Sequence, residues 1–169
     1  MRRGAVLVVD GDDIQRRDLV AQFVLLGWRS DGAITASSGL ELLAARTFDI
    51  AVIEVRLDFS PTRAPGLEIL DWLRDHRPNI LPVAVSSQAS LGEFLDAKDR
   101  GAVVCRTKPT TAAEILADLS EAKRRGRKRS LQSVQTLTTH RMIAFCDGNK
   151  TEAAVALGMS RRWINDSIK

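Results

Sequence analysis

At 169 residues the chain has room for one average domain and a small appendage, and with 44% apolar residues it can bury a core. Its net charge of +4 is unevenly placed: residues 1–119 carry 14 Lys and Arg against 17 Asp and Glu, a net of −3, whereas residues 120–169 carry 11 against 4, a net of +7. An acidic body with a basic tail suits binding of a polyanion through the tail. No stretch is apolar for long enough to cross a membrane, and two cysteines far apart do not make a disulfide framework. Arg2 and Arg3 precede an apolar run of only Ala5 to Val9, too short for a signal peptide, so a cytoplasmic protein is expected.

Ala5–Val9 (AVLVV) is a continuous, largely β-branched run, the mark of a strand buried on both faces. Asp10-Gly11-Asp12-Asp13 follows, then a helical pattern through Leu19, Val20, Phe23, Val24 and Leu26 that stops at Gly27. Trp28–Ile34 holds a weak second strand. Ser38 and Glu41 are spaced as a capping box beside Leu40, Leu42 and Leu43. Ile50–Val55 (IAVIEV) predicts a third strand interrupted by Glu54, and a long loop from Arg56 to Pro65 leads to a helix with Leu67, Ile69, Leu70 and Leu73.

Pro82–Val85 predicts a fourth strand, Leu91–Arg100 a fourth helix and Ala102–Cys105 a short fifth strand. Thr111 and Glu114 cap a fifth helix, apolar at Ile115, Leu116 and Leu119. Strands alternating with helices predict an α/β fold: a five-stranded, doubly wound parallel sheet covered on both faces.

In such a sheet the reactive crevice lies beyond the carboxyl ends of the strands. Asp10, Gly11 and Asp12 follow the first strand, Glu54 ends the third, Ser87 follows the fourth and Lys108-Pro109 the fifth. Carboxylates, a hydroxyl and a lysine on one rim make a candidate anion and Mg²⁺ pocket. Strand ends that are simply polar give the same pattern.

Val8-Val9-Asp10, Leu81-Pro82-Val83, Gly101-Ala102 and Lys108-Pro109 stand in the order and spacing of a receiver domain. Residues 1–122 resemble that domain of two-component response regulators. The resemblance implies a CheY-like fold, phosphoryl transfer from a histidine kinase to an aspartate, and Mg²⁺ held by nearby carboxylates. The chain departs from the family at the reactive positions. Glu54 stands at the phosphoacceptor's place, Gly11 at that of the second acidic residue, and Cys105 at that of the switch aromatic.

Asp10 and Asp12 are what remains to hold a metal, so the site is degenerate and Mg²⁺ is expected to bind weakly or not at all. The extra methylene of a glutamate carries its carboxylate toward the place of a phosphoryl oxygen, within reach of Lys108. The expectation is a pseudo-receiver fixed in one state, with no catalytic residue and no enzyme activity. On this reading, only a Glu54→Asp, Gly11→Asp double variant should gain Mg²⁺-dependent labelling by an acyl phosphate.

Lys123 to Arg129 has six basic residues in seven and marks a linker over 123–130. Leu131–Phe145, with Val134, Leu137, Met142, Ile143 and Phe145, predicts one long or two short helices. Its apolar surface exceeds what two short helices cover, so a homodimer is expected. Asn149, with Glu152 three residues on, caps a helix whose Ala153, Ala154 and Leu157 share a face. Gly158 ends it. Ser160 caps a second helix that buries Met159, Ile164 and Ile168 and turns Arg161, Arg162, Asn165 and Lys169 outward. Two short helices broken at a glycine form the helix-turn-helix pattern, although a plain helical hairpin shares the spacing.

Cys146-Asp147, Asn149, Thr151-Glu152, Ala154, Leu157, Met159 and Arg161-Arg162 in unbroken spacing resemble the helix-turn-helix of the factor-for-inversion-stimulation (Fis) family. They are similar also to the tail of the redox-responding regulators of the ActR, PrrA and RegA type. This resemblance implies a Fis-type DNA-binding domain over 131–169 and double-stranded DNA as partner. Arg161, Arg162, Trp163, Asn165 and Lys169 are the candidate contacts, with Lys128 and Arg129 of the linker tracking phosphates. Trp163 suits an interface or core role equally well.

The leading expectation is a DNA-binding transcriptional response regulator whose receiver works without phosphorylation, with a histidine kinase or another regulatory protein as a docking partner. Two alternatives stand beside it. One is a protein-interaction adaptor, supported by Asp166, which repels phosphate; the other is a working phosphotransfer receiver using Asp12 and Glu54. Cys105 and Cys146 are open as redox thiols, and His76 and His140, without ligand neighbours at metal spacing, read as surface residues.

Overall fold

The computed structural model describes residues 4–57, 64–87, 90–124 and 131–167, with the backbone alone for 131–137 and 166–167. Lys128, Arg129, Ile168 and Lys169 lie outside the described residues. The chain divides into two units, Met1–Arg124 and Arg125–Lys169.

The first unit alternates strands and helices in chain order: β1 (Ala5–Val9), α1 (Asp13–Leu25), β2 (Arg29–Ala33), α2 (Ala36–Ala45), β3 (Ile50–Glu54), α3 (Pro65–His76), β4 (Leu81–Ser86), α4 (Leu91–Asp99), β5 (Val104–Thr107) and α5 (Ala112–Arg124). All strand pairs are parallel, in the order β2-β1-β3-β4-β5. Alternate residues of the central strands feed two cores. Leu7, Val9 and Ile53 pack with Leu43, Ile69, Leu70 and Phe94 of α2, α3 and α4. Val6, Val8 and Val52 pack with Leu19, Phe23 and Ile115 of α1 and α5. Every residue of β1 is buried, which is why its sequence is an unbroken apolar run.

Two local expectations are corrected. The capping box of α2 is Thr35–Ser38, not Ser38–Glu41. Thr35 is extended and its Oγ1 accepts the Ser38 amide at 3.2 Å, while the Thr35 amide donates to Ser38 Oγ at 3.1 Å. Glu41 lies within the helix and accepts from Ser37 Oγ at 3.4 Å. The fifth strand runs two residues later than expected. Its ladder with β4 pairs Val83 with Val104 and Ser86 with Thr107, so Gly101 and Ala102 belong to the preceding turn. As an edge strand it is only half-buried, and its polar Arg106 and Thr107 hid it from an apolar reading. The other edge, β2, is weak for the same reason: only Ala33 is buried.

The second unit holds α6 (Leu131–Phe145), α7 (Lys150–Ala156) and α8 (Arg161–Ser167). Leu131–Phe145 is therefore one helix. Asn149 caps α7, its Oδ1 accepting the amides of Thr151 at 3.0 Å and Glu152 at 3.3 Å. Gly158 has φ of +65°, a conformation that glycine adopts without a Cβ clash. Ser160 Oγ accepts the Trp163 amide at 3.1 Å at the start of α8. Thr139, Ala153, Ala154 and Ile164 are buried, and the two alanines let α7 approach its neighbours closely. Leu157 and Met159 are half-buried beside them.

Candidate functional site

At the carboxyl end of the sheet, β1, β3 and β4 deliver Asp10, Glu54 and Ser87, while β5 leads into Lys108. The Lys108–Pro109 peptide is cis. Asp10, Gly11, Asp12, Gln15, Glu54, Arg56, Ser86, Ser87 and Lys108 line one small cavity of about 20 Å³. All the rim residues expected from the sequence meet here.

The centre is a buried ion triad. Lys108 Nζ lies 2.6 Å from Asp10 Oδ2 and 2.5 Å from Glu54 Oε2, and both carboxylates are buried. The second oxygen of each is also engaged. Asp10 Oδ1 accepts the Asp12 amide at 3.0 Å, and Glu54 Oε1 accepts the Arg56 amide at 3.1 Å. Burial alone would push the Lys108 ammonium down. The hydrogen bonds it donates to Asp10 and Glu54, and their charges, outweigh it and hold Lys108 above the usual lysine range.

Asp12 does not turn into the triad. Its carboxylate caps α1, accepting the amides of Ile14 at 3.0 Å and Gln15 at 3.1 Å and the Gln15 side chain at 3.1 Å. These bonds, the Gln15 amide foremost, hold it below the ordinary carboxylate range. Gly11 is set by a neighbour's backbone: a Cβ there would lie 2.2 Å from the Leu57 carbonyl oxygen. The Leu57 backbone therefore fills the place of a side chain at position 11. That contact works against a Gly11→Asp, Glu54→Asp double variant, because the Leu57 carbonyl must shift before a side chain is seated at position 11.

The Mg²⁺ that the receiver resemblance implies is not matched by these donors. Mg²⁺ demands octahedral oxygens at about 2.0–2.1 Å and usually keeps several waters. Here Asp10 and Glu54 each give one oxygen to Lys108 and the other to a backbone amide, and Asp12 is spent on capping α1. Among the described residues, no group of three or more His, Cys, Asp and Glu is placed to share an ion.

Sequence reading missed four parts of the site. Arg16 is buried, its stem lies against Gly32, and Nη1 donates to the Asp10 carbonyl at 2.8 Å while Nη2 pairs with Asp13. Arg56, after Glu54, pairs with Glu93 at 2.9 Å and ties the loop to the first turn of α4. Glu93 also closes a capping box with Ser90, accepting its amide at 2.8 Å. Burial works against the charge on Glu93, but the Ser90 amide and Arg56 hold its carboxyl below the usual range. The fourth part is the Leu57 carbonyl, a backbone group that carries no sequence signal.

Two comparisons with known proteins bear on this arrangement. The photosynthetic apparatus regulatory protein RegA of Rhodovulum sulfidophilum is 27% identical over 165 residues, covering 95% of this chain and 88% of RegA. The acid tolerance regulatory protein ActR of Rhizobium meliloti is 26% identical over 167 residues, covering 95% of this chain and 83% of ActR. Among solved structures, a response regulator from Burkholderia pseudomallei, determined with a phosphorylated aspartic acid, calcium ion and citrate, has a TM-score of 0.66. It is 23% identical and covers 98% of this chain and 97% of its own, a likeness of fold. These likenesses support a response regulator. The first unit has the CheY-like receiver fold, although no family model matches the chain.

The receiver's Cys105 is half-buried, with Sγ 3.7 Å from the Phe94 carbonyl. Burial pushes its thiol up to about 11. Thiolates are the reactive species, so this cysteine is a poor redox sensor at neutral pH. Alkylation of the folded protein at neutral pH should modify Cys105 on the order of a hundred-fold more slowly than an unperturbed cysteine. Peptide mass mapping after timed iodoacetamide treatment reads this directly, and rapid modification of Cys105 would contradict it.

In the second unit, Arg161, Arg162 and Asn165 are exposed on α8, and Trp163 is half-buried. Lys150 Nζ donates to Asn165 Oδ1 at 3.4 Å. His76 and His140 are exposed, as expected. No helix among the described residues is long and apolar enough to cross a membrane.

Proposed function

We propose that the chain is a DNA-binding transcriptional response regulator whose receiver is degenerate and works without phosphorylation. The observation that carries the DNA-binding part is α8: Arg161, Arg162 and Asn165 stand exposed on a short helix joined to α7 by a tight turn at Gly158. This unit belongs to the part of the chain with a net charge of +7. A helix-turn-helix places such a second helix in the major groove. The receiver part rests on the Asp10–Lys108–Glu54 triad, which occupies the groups that phosphoryl transfer would need. No residue of the chain is assigned catalysis.

One short helix reads few bases, so the active species is a homodimer on half-sites about one helical turn apart. Phe145 and Val155, which are 85% and 78% exposed, are apolar surface that a second copy would cover. Log affinity for duplex DNA should fall with log salt at about −0.9 per neutralised phosphate. Affinity should be unchanged by Glu54→Asp. Anisotropy titrations at several salt concentrations, with the complex mass read by light scattering, test this. Binding indifferent to salt, or saturation as a monomer, would count against the regulator.

The same exposed Phe145 and Val155 favour a second reading, an adaptor that docks a protein and leaves DNA alone. For that reading no salt-dependent binding to duplex DNA appears at any sequence.

A further inference from the structure

We infer that the Lys108 ammonium is the resident cation of the receiver pocket and that it takes the place of a divalent metal ion. The inference rests on the degenerate-receiver reading and goes beyond it, because it says what neutralises the two buried carboxylates. Asp10 and Glu54 come from separate strands, and both carboxylates are almost wholly buried. Two such charges side by side repel strongly unless a cation lies between them. Nζ of Lys108 lies there, at 2.6 Å and 2.5 Å from one oxygen of each.

Further contacts work against a second cation. The remaining carboxylate oxygens accept the Asp12 and Arg56 amides, so neither presents an unengaged oxygen. Asp12 is committed to the end of α1. The Leu57 carbonyl lies against Gly11 and occupies the side from which a carboxylate at position 11 would reach in. Arg56, paired with Glu93, fastens the chain after β3 to α4. A divalent ion would have to displace the ammonium to reach Asp10 Oδ2 and Glu54 Oε2.

The arrangement has a reciprocal consequence. Removing the ammonium leaves two buried carboxylates facing a space that a small cation can fill. Lys108→Ala should therefore turn an ion-independent protein into one stabilised by divalent ions. Wild type, Lys108→Ala and Glu54→Gln are melted in chelator, Mg²⁺ and Mn²⁺.

The wild type should show no Tm shift with either ion. Lys108→Ala should melt lower in chelator and rise on the order of 5 °C when the ion saturates. Glu54→Gln, which keeps one carboxylate for one ammonium, should ignore the ions. A Tm rise in wild type, or a folded Lys108→Ala that no divalent ion stabilises, overturns the inference. Should Lys108→Ala not fold, the wild type still decides. Titrated with Mn²⁺, its Asp10 and Glu54 amides should stay unbroadened in NMR spectra, and selective broadening there overturns the assignment. These readouts do not depend on DNA, so failure of the regulator reading in the salt titration is a separate result.

Discussion

Incubated with acetyl phosphate and Mg²⁺, the wild type, Glu54→Asp, Gly11→Asp and the double variant should all remain unlabelled. In the wild type the carboxylate at the acceptor position is held by Lys108 and the Arg56 amide. Glu54→Asp shortens the side chain and restores the acceptor type, yet supplies nothing to neutralise charge developing on a transferred phosphoryl group. Gly11→Asp offers the missing carboxylate only in name. Its Cβ would lie 2.2 Å from the Leu57 carbonyl oxygen, so Leu57 must move before the side chain can be seated.

That movement should cost about 1–3 kcal/mol, as overpacking does elsewhere, and should appear as a lower Tm for both proteins carrying the substitution. Phosphate-affinity electrophoresis of the four proteins, with and without Mg²⁺, gives the readout. Labelling of the double variant would show that Leu57 moves away from Gly11 at little cost. Labelling of the wild type would show that Glu54 accepts phosphate as it stands.

How much of this was legible depended on whether a side chain carried the signal. The central strands were plain, because burial on both faces writes Val6 to Val9 and Ile50 to Ile53 as apolar runs. The edges were not: β2 and β5 are half-exposed, so their sequences keep polar residues and their ends could be misplaced. Thr111–Glu114 was found because the cap and its partner are distinctive at a spacing of three. The cap of α2 was missed because Thr35–Ser38 works with a serine hydroxyl where a glutamate is the familiar partner.

The rim was legible as a set of positions and illegible as a geometry. Gly11 reads in the sequence as an absent carboxylate, whereas its cause is a carbonyl arriving from the chain 46 residues later. Arg16 lies outside the apolar pattern of its helix, yet it is buried against Gly32. Both depend on a contact distant in sequence, made in one case by a backbone atom and in the other by an arginine stem, and neither leaves a periodic pattern.

In the second unit, replacing Arg161 or Arg162 should alter which DNA is chosen as well as how tightly it is held. Both guanidinium groups are exposed in the first turn of α8, where a recognition helix meets base edges. An arginine that bonds the O6 and N7 of a guanine is worth about 1–3 kcal/mol of discrimination, roughly ten-fold to a hundred-fold in affinity for the preferred site. Its loss should flatten preference at one base pair and leave the others. Loss of a phosphate-contacting residue should weaken all sequences equally and reduce the salt slope by about one unit.

Lys128→Ala is the matched comparison, since the linker is expected to follow phosphates without reading bases. Selection from a random duplex library with each variant, followed by titration against the winning site and its single-base changes, distinguishes the two behaviours. Ile164, fully buried at the centre of the unit, supplies the control for folding. Ile164→Ala should cost about 2–5 kcal/mol and abolish binding to every sequence together with the helical melt. If Arg161→Ala and Arg162→Ala keep the wild-type preference and melt like the wild type, α8 does not read the bases.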